Sequence, residues 1–259
     1  MRNEEHQVRK SNVADDRPMA LLVQKYGGTS VGSVERIQAV AQRVRQNREE
    51  GHDIVVVVSA MGHTTDELTG LAHGLTATPP QREMDMLLAS GEQVSIALLA
   101  MALNAQGVAA SSMTGPQVGI ATESVHGRAR ILGIRTDRIR SRIQAGQVVV
   151  VAGFQGTSTS SDGIQEITTL GRGGSDTSAV ALAAVLRADA CEIYTDVPGV
   201  LSTDPRKVPD AQLIETISCD EMLELASLGA AVLHPRAVEI ARNYGVNLVV
   251  RSSWSDAPG

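Results

Sequence analysis

Six short runs along the chain are almost continuously apolar: "ALLVQKY", "DIVVVVSA", "GVAASSM", "QVVVVAGF", "ACEIYTD" and "VNLVVRSS". Strands that are buried on both faces read this way, whereas half-exposed strands alternate. Helical periodicity fills the intervals. In the first interval Ser33 offers an N-cap, Val34, Ile37, Val40, Ala41 and Val44 form one apolar stripe, and Gly51 offers a stop. The same pattern predicts helices over 81–106, 136–145, 176–187, 219–228 and 235–244. Strands and helices in alternation predict a parallel sheet covered by helices on both sides. "GIQEITTLG" breaks the rhythm, because "EITT" alternates between glycines, and it predicts a small hairpin beside the site. No internal repeat or low-complexity linker divides the chain. The expected organisation is a solvated tail over 1–18, where "MRNEEHQVRKSNVADDRP" lacks large apolar groups, followed by one domain over 19–259.

Composition narrows the class. With 259 residues, 42% of them hydrophobic, the chain can bury a full core. A net charge of -6 with one Trp, three Tyr and one Phe gives neither a basic field nor stacking platforms, so nucleic acid is not expected as a partner. Cys191 and Cys219 stand alone, without zinc-ligand or disulfide spacing, and a reducing cytoplasm is the expected setting. No apolar run is expected to approach the roughly 18 residues of a membrane span, and the opening segment lacks the apolar centre of a signal peptide. His52, His63, His73, His126 and His234 show no metal-ligand spacing and are given no catalytic role. Ser59 lies in "VVSAMG", which is not the G-x-S-x-G of a nucleophile elbow.

In open α/β sheets, ligands bind beyond the carboxyl ends of the strands, so the turns that follow the strands carry the candidate chemistry. The first is Lys25-Tyr26-Gly27-Gly28-Thr29-Ser30, the second Ser59-Ala60-Met61-Gly62 with Thr64 and Thr65 behind it. "GRGGSDT" (171–177) opens a helix, and the fifth strand ends in Thr195-Asp196. Adjacent glycines let backbone N–H groups approach an anion, and a lysine beside them neutralises charge on a phosphoryl group. Equally, Gly-Gly can simply turn the chain and leave Lys25 a solvated strand end. Arg172 can hold a carboxylate in two parallel hydrogen bonds, while Ser175 or Asp176 can be no more than an N-cap. The string is neither a Walker loop nor a dinucleotide fingerprint. Glu92, in the largely apolar "LASGEQVSIALLAMAL", either meets a cation or is an exposed first-turn glutamate. Thr195-Asp196 either binds a metal–phosphate or caps a turn with Pro198 and Gly199. In "DPRKVP", Arg206 and Lys207 form a small basic pair.

Taken in order, "KYGGTSV" (25–31), "VVSAMG" (57–62), "SGEQVS" (90–95), "GFQG" (153–156), "TLGRGGSDTSA" (169–179), "EIYTDVPGV" (192–200), "DPRKV" (204–208) and "VRSS" (250–253) resemble the aspartokinases of the amino acid kinase superfamily. The resemblance runs from about Met19 to Gly259. It implies a three-layer α/β/α sandwich with a mainly parallel sheet. It also implies phosphorylation of the side-chain carboxylate of L-aspartate by ATP and Mg²⁺, opening the route to lysine, threonine, methionine and diaminopimelate, in a homo-oligomer. Position by position, Lys25, Gly27 and Gly28 match the phosphate cradle, and Ser59 lies near the nucleotide. Thr65, Glu92, Phe154, Arg172, Gly173, Ser175 and Asp176 match the aspartate pocket. Thr195, Asp196 and Arg206, with neighbouring Lys207, match the nucleotide side, and Mg²⁺ is held through the ATP phosphates.

The chemistry agrees: a carboxylate with a reference pKa of about 3.9 is already ionised at neutral pH and needs no general base, so placement and charge neutralisation carry catalysis. Lys25 and Asp196 are the expected catalytic pair, Asp196 as an organiser of metal or lysine. Three departures stand out. Leu201 sits where relatives often have Tyr, Ala231 stands in "GAAVLHP" where they read "GAKVLHP", and the regulatory ACT domains are expected to be absent after "SSWSDAPG". The alternative is a degenerate kinase domain that binds ligand or partner subunits with little turnover.

Overall fold

The computed structural model describes residues 19–159, 163–205, 207–228, 232–257 and 259. The tail over 1–18, Arg206 and Ala231 therefore lie outside the described residues.

The elements run β1 (Leu21–Tyr26), a 3-10 turn (Gly28–Val31), α1 (Val34–Glu49), β2 (Asp53–Val58), α2 (Thr64–Leu75), α3 (Gln81–Ala105) and β3 (Ala110–Met113). After α4 (Gly115–Val118) come β4 (Ile120–Thr122), β5 (Ile131–Ile134), α5 (Asp137–Gln144), β6 (Val148–Ala152), β7 (Gln155–Thr159) and β8 (Gln165–Thr169). The chain continues through α6 (Gly174–Leu186), β9 (Ala190–Thr195), α7 (Cys219–Ser227), α8 (Pro235–Tyr244) and β10 (Leu248–Ser252).

All six apolar runs become strands of one parallel sheet, ordered β10-β9-β1-β2-β6-β3. The side-chain period of two divides their residues between two cores. Val23, Val55, Val57, Val149, Val151, Cys191 and Ile193 pack with α5, α6, α7 and α8 on one face. Tyr26, Ile54, Val56, Val58, Val148 and Val150 pack with α1 and α3 on the other. The result is the expected three-layer sandwich. Successive strands run from β1 out to β2 and β6 on one side and to β9 and β10 on the other, so the direction reverses between β1 and β9. That reversal opens a crevice beyond the strand ends.

Local predictions mostly hold, with informative exceptions. Ser33 caps α1 by accepting from Arg36 N, and Ile37, Val40, Ala41 and Val44 are buried, but Val34 is 58% exposed because the stripe turns away from the sheet at the first residue. α6 starts at Gly174, two residues earlier than the periodicity predicts, with Gly173 as N-cap. Ser175 and Asp176 therefore stand inside the first turn and are not its cap. The "EITT" hairpin exists as β7–β8, yet it belongs to a second sheet ordered β5-β4-β7-β8. α3 is 25 residues long and, over an 18-residue window of mean hydropathy 1.6, meets the length and composition of a membrane span. In the fold it packs Ile96, Leu99 and Leu103 on the sheet and buries two carboxylates, Asp85 and Glu92.

Below the crevice, β1, β9 and β10 share a buried polar network. Tyr26 and Tyr194, paired across the strands, stack with ring centroids 4.5 Å apart. Glu192 accepts from Gln24 Nε2 at 2.8 Å, Tyr194 Oη at 3.0 Å and Arg251 Nη1 at 2.8 Å. Burial, followed by the Glu192 charge, pushes the Tyr194 phenol up to about 12. Both phenols stay neutral and act as hydrogen-bond groups.

Candidate active site

Lys25 shares a sheet face with Val23, the face covered by α6. Its Nζ lies 2.7 Å from Asp176 Oδ1, with both side chains largely buried. Asp176 stands in the first turn of α6, where the helix dipole favours a negative charge. Asp196, expected as the lysine's partner, is exposed and instead accepts from Thr195 Oγ1 at 3.1 Å. The lysine's ion-pair partner is the helix-borne carboxylate because β1 aims the odd-numbered side chains at α6.

The turn after β1 is tight. A Cβ on Gly28 would meet Ala60 O at 2.8 Å, and one on Gly27 would face Lys25 Nζ at 3.5 Å. Glycine here brings the backbone close to the lysine and to the loop after β2. Arg36 steadies this turn from α1: its Nη1 donates to Thr29 O at 2.5 Å, and its guanidinium lies 4.3 Å from the centre of the Trp254 ring. Ser59 ends β2 beside Tyr26, to whose carbonyl its N–H donates. Thr65 stands in the first turn of α2.

Glu92 is 3% exposed and lies mid-way along α3, which rules out the first-turn reading. Its Oε1 accepts from Ala60 N at 3.1 Å, an approach made possible by Gly91, whose Cβ would strike Ala60 Cβ at 2.9 Å. Among the described residues Oε2 has no partner. Burial pushes the carboxyl up to about 7, partly offset by backbone hydrogen bonds. A buried carboxylate with one free oxygen calls for a cationic donor from outside the chain.

The "GRGG" turn supplies the opposite charge. Arg172 is exposed, and its guanidinium has no ion-pair partner among the described residues. Gly173 has a φ of 67°, and its missing Cβ leaves room for the His234 ring, which would otherwise lie 2.1 Å away. Ser175 is buried against Gly153. Phe154, a non-glycine residue at φ 67°, turns the chain from β6 into β7; its N–H donates to Ser178 Oγ and its carbonyl accepts from Leu170 N. Strain of this kind persists where surrounding contacts over-determine it, and it clusters at functional sites.

Lys25, Gly27, Gly28, Ser59, Glu92, Phe154 and the 172–176 turn thus gather at the carboxyl ends of β1, β2 and β6 and the start of α6, with Thr65 just behind on α2. Thr195 and Asp196 stand next to them at the end of β9. Lys207 is exposed in the loop before α7 with no side-chain bond among the described residues, and Leu201 pairs with Leu213 in an isolated bridge.

Local sequence did not mark Arg236, whose Nη2 donates to Leu170 O at 2.6 Å and to Arg172 O at 2.7 Å. Nor did it mark His234, which caps α8 and packs on Gly173; burial, then the Arg236 charge, lowers its pKa. Asp85 was missed as well. Its place seven residues before Glu92, two helical turns away on the same face, was the available signal.

The sequence matches the amino acid kinase family over residues 20–252. It is 63% identical to the aspartokinase of Bacillus sp. (strain MGA3) and 62% identical to that of Geobacillus stearothermophilus, in each case over 241 residues, 93% of this chain and 58% of the relative. The chain therefore spans little more than half the length of these relatives. Among solved structures, aspartate kinase from Synechocystis superposes with a TM-score of 0.82 at 66% identity, covering 93% of this chain and 39% of that one. E. coli aspartokinase III in complex with aspartate and ADP superposes at 0.78 with 27% identity, covering 92% and 63%. Fold, turn chemistry and sequence agree, and the chain belongs to the amino acid kinase family.

Proposed function

We propose that the chain transfers the terminal phosphoryl group of ATP to the side-chain carboxylate of L-aspartate. The observation that carries this reading is Glu92, a buried carboxylate whose second oxygen has no partner among the described residues, set in a site that also holds the exposed Arg172 guanidinium, which has no ion-pair partner among those residues. An α-amino acid presents an ammonium and a carboxylate, and these two groups answer both charges. Relatives named aspartokinase at 62–63% identity support the choice of substrate.

The nucleotide fits the residues present. Gly27 leaves space beside Lys25 Nζ that a Cβ would fill, and Gly28 lets the turn close on the loop after β2. By the family resemblance Thr195, Asp196, Lys207 and Arg206 fall on the nucleotide side, Arg206 lying outside the described residues. When bound, ATP supplies the phosphoryl group and Mg²⁺ offsets its charge.

In this reading Asp176 holds the Lys25 ammonium at the strand end, and Lys25 faces the negative charge of the transferring group. Glu92 and Arg172 hold the ammonium and the α-carboxylate and leave the side-chain carboxylate free to attack, with Thr65, Phe154, Gly173 and Ser175 shaping the pocket around them. The attacking carboxylate is ionised at neutral pH, so no side chain has to remove a proton. Positioning and fixed charge lower the barrier. The intact Lys25–Asp176 pair favours turnover over a degenerate binding domain. Self-association belongs to the same reading and is supported by Val34, Val94 and Met101, large apolar side chains exposed on α1 and α3; sedimentation checks it.

ADP release measured with aspartate, then glutamate, with and without Mg²⁺, tests the proposal. Mg²⁺-dependent release with aspartate and little with glutamate is expected. Equal rates with the two, or none with either, would overturn it.

A further inference from the structure

α3 carries a second buried carboxylate that the proposed chemistry does not use. Asp85 is fully buried. Its two oxygens accept from Gly127 N at 3.0 and 3.1 Å, Oδ1 also accepts from Thr169 Oγ1, and Oδ2 lies 2.7 Å from His126 Nδ1. The far side of the His126 ring meets Glu166 Oε2 at 3.2 Å, and Arg82 approaches Glu166 at 3.5 Å. A carboxylate this deep, facing neither lysine nor arginine among the described residues, is a costly way to fill space, since an apolar side chain would pack without desolvating a charge. Four directed hydrogen bonds instead fix geometry.

What they fix is the turn that carries Arg172. Thr169 is the last residue of β8, and its carbonyl accepts from Ala129 N at 2.9 Å. Two residues on, Gly171 at φ 72° seats against Gly127, whose carbonyl would lie 2.9 Å from any Cβ there. Asp85 therefore grips both strips of backbone that hold the start of the "GRGG" turn. On the same helix Ala89 O accepts from Gln155 Nε2 at 2.9 Å, next to Phe154, and Glu92 reaches Ala60 N. Asp85 and Glu92 are two helical turns apart, about 10.5 Å along the axis, and both are buried. One rigid helix thus references the amine-binding carboxylate and the loop of the carboxylate-binding arginine to the same rod.

We propose that Asp85 is a positioning residue: through Thr169 and Gly127 it holds the Arg172 turn at a fixed distance along α3 from Glu92, and so keeps the charges that receive the α-carboxylate and the ammonium in register. The statement about the amino acid rests on the aspartate reading above; the statement about the turn does not.

The experiment compares Asp85→Asn and Thr169→Val, both nearly isosteric, with Thr169→Ser, which keeps the hydroxyl. Hydrogen exchange at the amides of Gly174 and Thr177, which close the turn onto Gly171 and Gly173, is read alongside the amides of β6 as a control for global folding. Expected are at least tenfold faster exchange in the turn with β6 unchanged, and a KM for aspartate raised at least tenfold with KM for ATP within twofold. Thr169→Ser should stay near the unaltered protein in all of these. Unchanged exchange in the turn, or aspartate and ATP KM values rising together, would overturn the proposal. If the unaltered protein does not phosphorylate aspartate, the substrate reading fails, and exchange alone decides whether Asp85 positions the turn.

Discussion

Lys25 Nζ and Asp176 Oδ1 lie 2.7 Å apart, so an ion pair joins the end of β1 to the first turn of α6 at the point where the sheet order reverses. The pair is shielded from water but not sealed, and the helix dipole shares in holding the carboxylate.

Lys25→Ala should therefore leave a folded protein, because Asp176 keeps the dipole and some access to water, yet lose about 10²–10³ in kcat, the usual cost of one electrostatic partner of a developing charge. Asp176→Asn should lower kcat less, since the lysine stays but is less well held. Steady-state kinetics with a melting curve on each variant measures both.

Glu92 yields a prediction in pH. Its folded-state pKa, pushed up to about 7 by burial, lies above the ordinary carboxyl value, so the folded protein binds this proton more tightly than the unfolded chain. The contribution to stability is present below the ordinary value and is lost as pH rises toward 7. Glu92→Gln removes the penalty and should stabilise the ligand-free protein above pH 7 by roughly 3 kcal/mol at most, with no gain near pH 4. On the proposed reading, aspartate binding needs the ionised form. Calorimetric affinity for aspartate should weaken as pH falls below 7 in the unaltered protein and be poor at every pH in Glu92→Gln.

Gly173→Ala places a methyl 2.1 Å from the His234 ring, on a backbone with φ 67°. The left-handed conformation alone costs about 1 kcal/mol, and the clash displaces either the ring or the turn. Denaturant melts should show a loss of stability, and KM for aspartate should rise. Adding His234→Gly, which removes the ring and also the Cβ that the methyl would strike, should recover the steric part only, which a double-mutant cycle isolates.

The sheet was readable because strands covered on both faces carry apolar residues at every position, as "DIVVVV" does. Helix ends came within two residues wherever a stripe met a cap. α2 escaped notice because only Ala72 of its twelve residues is buried, and β4 and β5 are three and four residues long. At the site, glycine-rich turns and the family motifs located Lys25, Glu92 and Arg172. They did not reveal that Asp176 pairs with the lysine, nor that Asp85, His234 and Arg236 support the Arg172 turn. Those contacts join segments distant in sequence, and no local period encodes them.

Glu192→Ala should be the most destabilising of these substitutions. It leaves Gln24, Tyr194 and Arg251 facing a cavity, and breaking a buried charge pair costs roughly 3–5 kcal/mol. Glu192→Gln, which keeps the shape and one acceptor, should cost less. Urea denaturation followed by circular dichroism measures the difference.

Trp254 is the chain's single tryptophan, and Arg36 couples its ring to the glycine turn that precedes the first helix. All indole emission from the protein therefore originates beside that turn. A guanidinium held over the ring is a sensitive neighbour, so a shift of a fraction of an ångström at Thr29 alters the field on the indole. The protein carries its own optical probe, and a nucleotide titration can be followed by the wavelength of its fluorescence without attaching a dye.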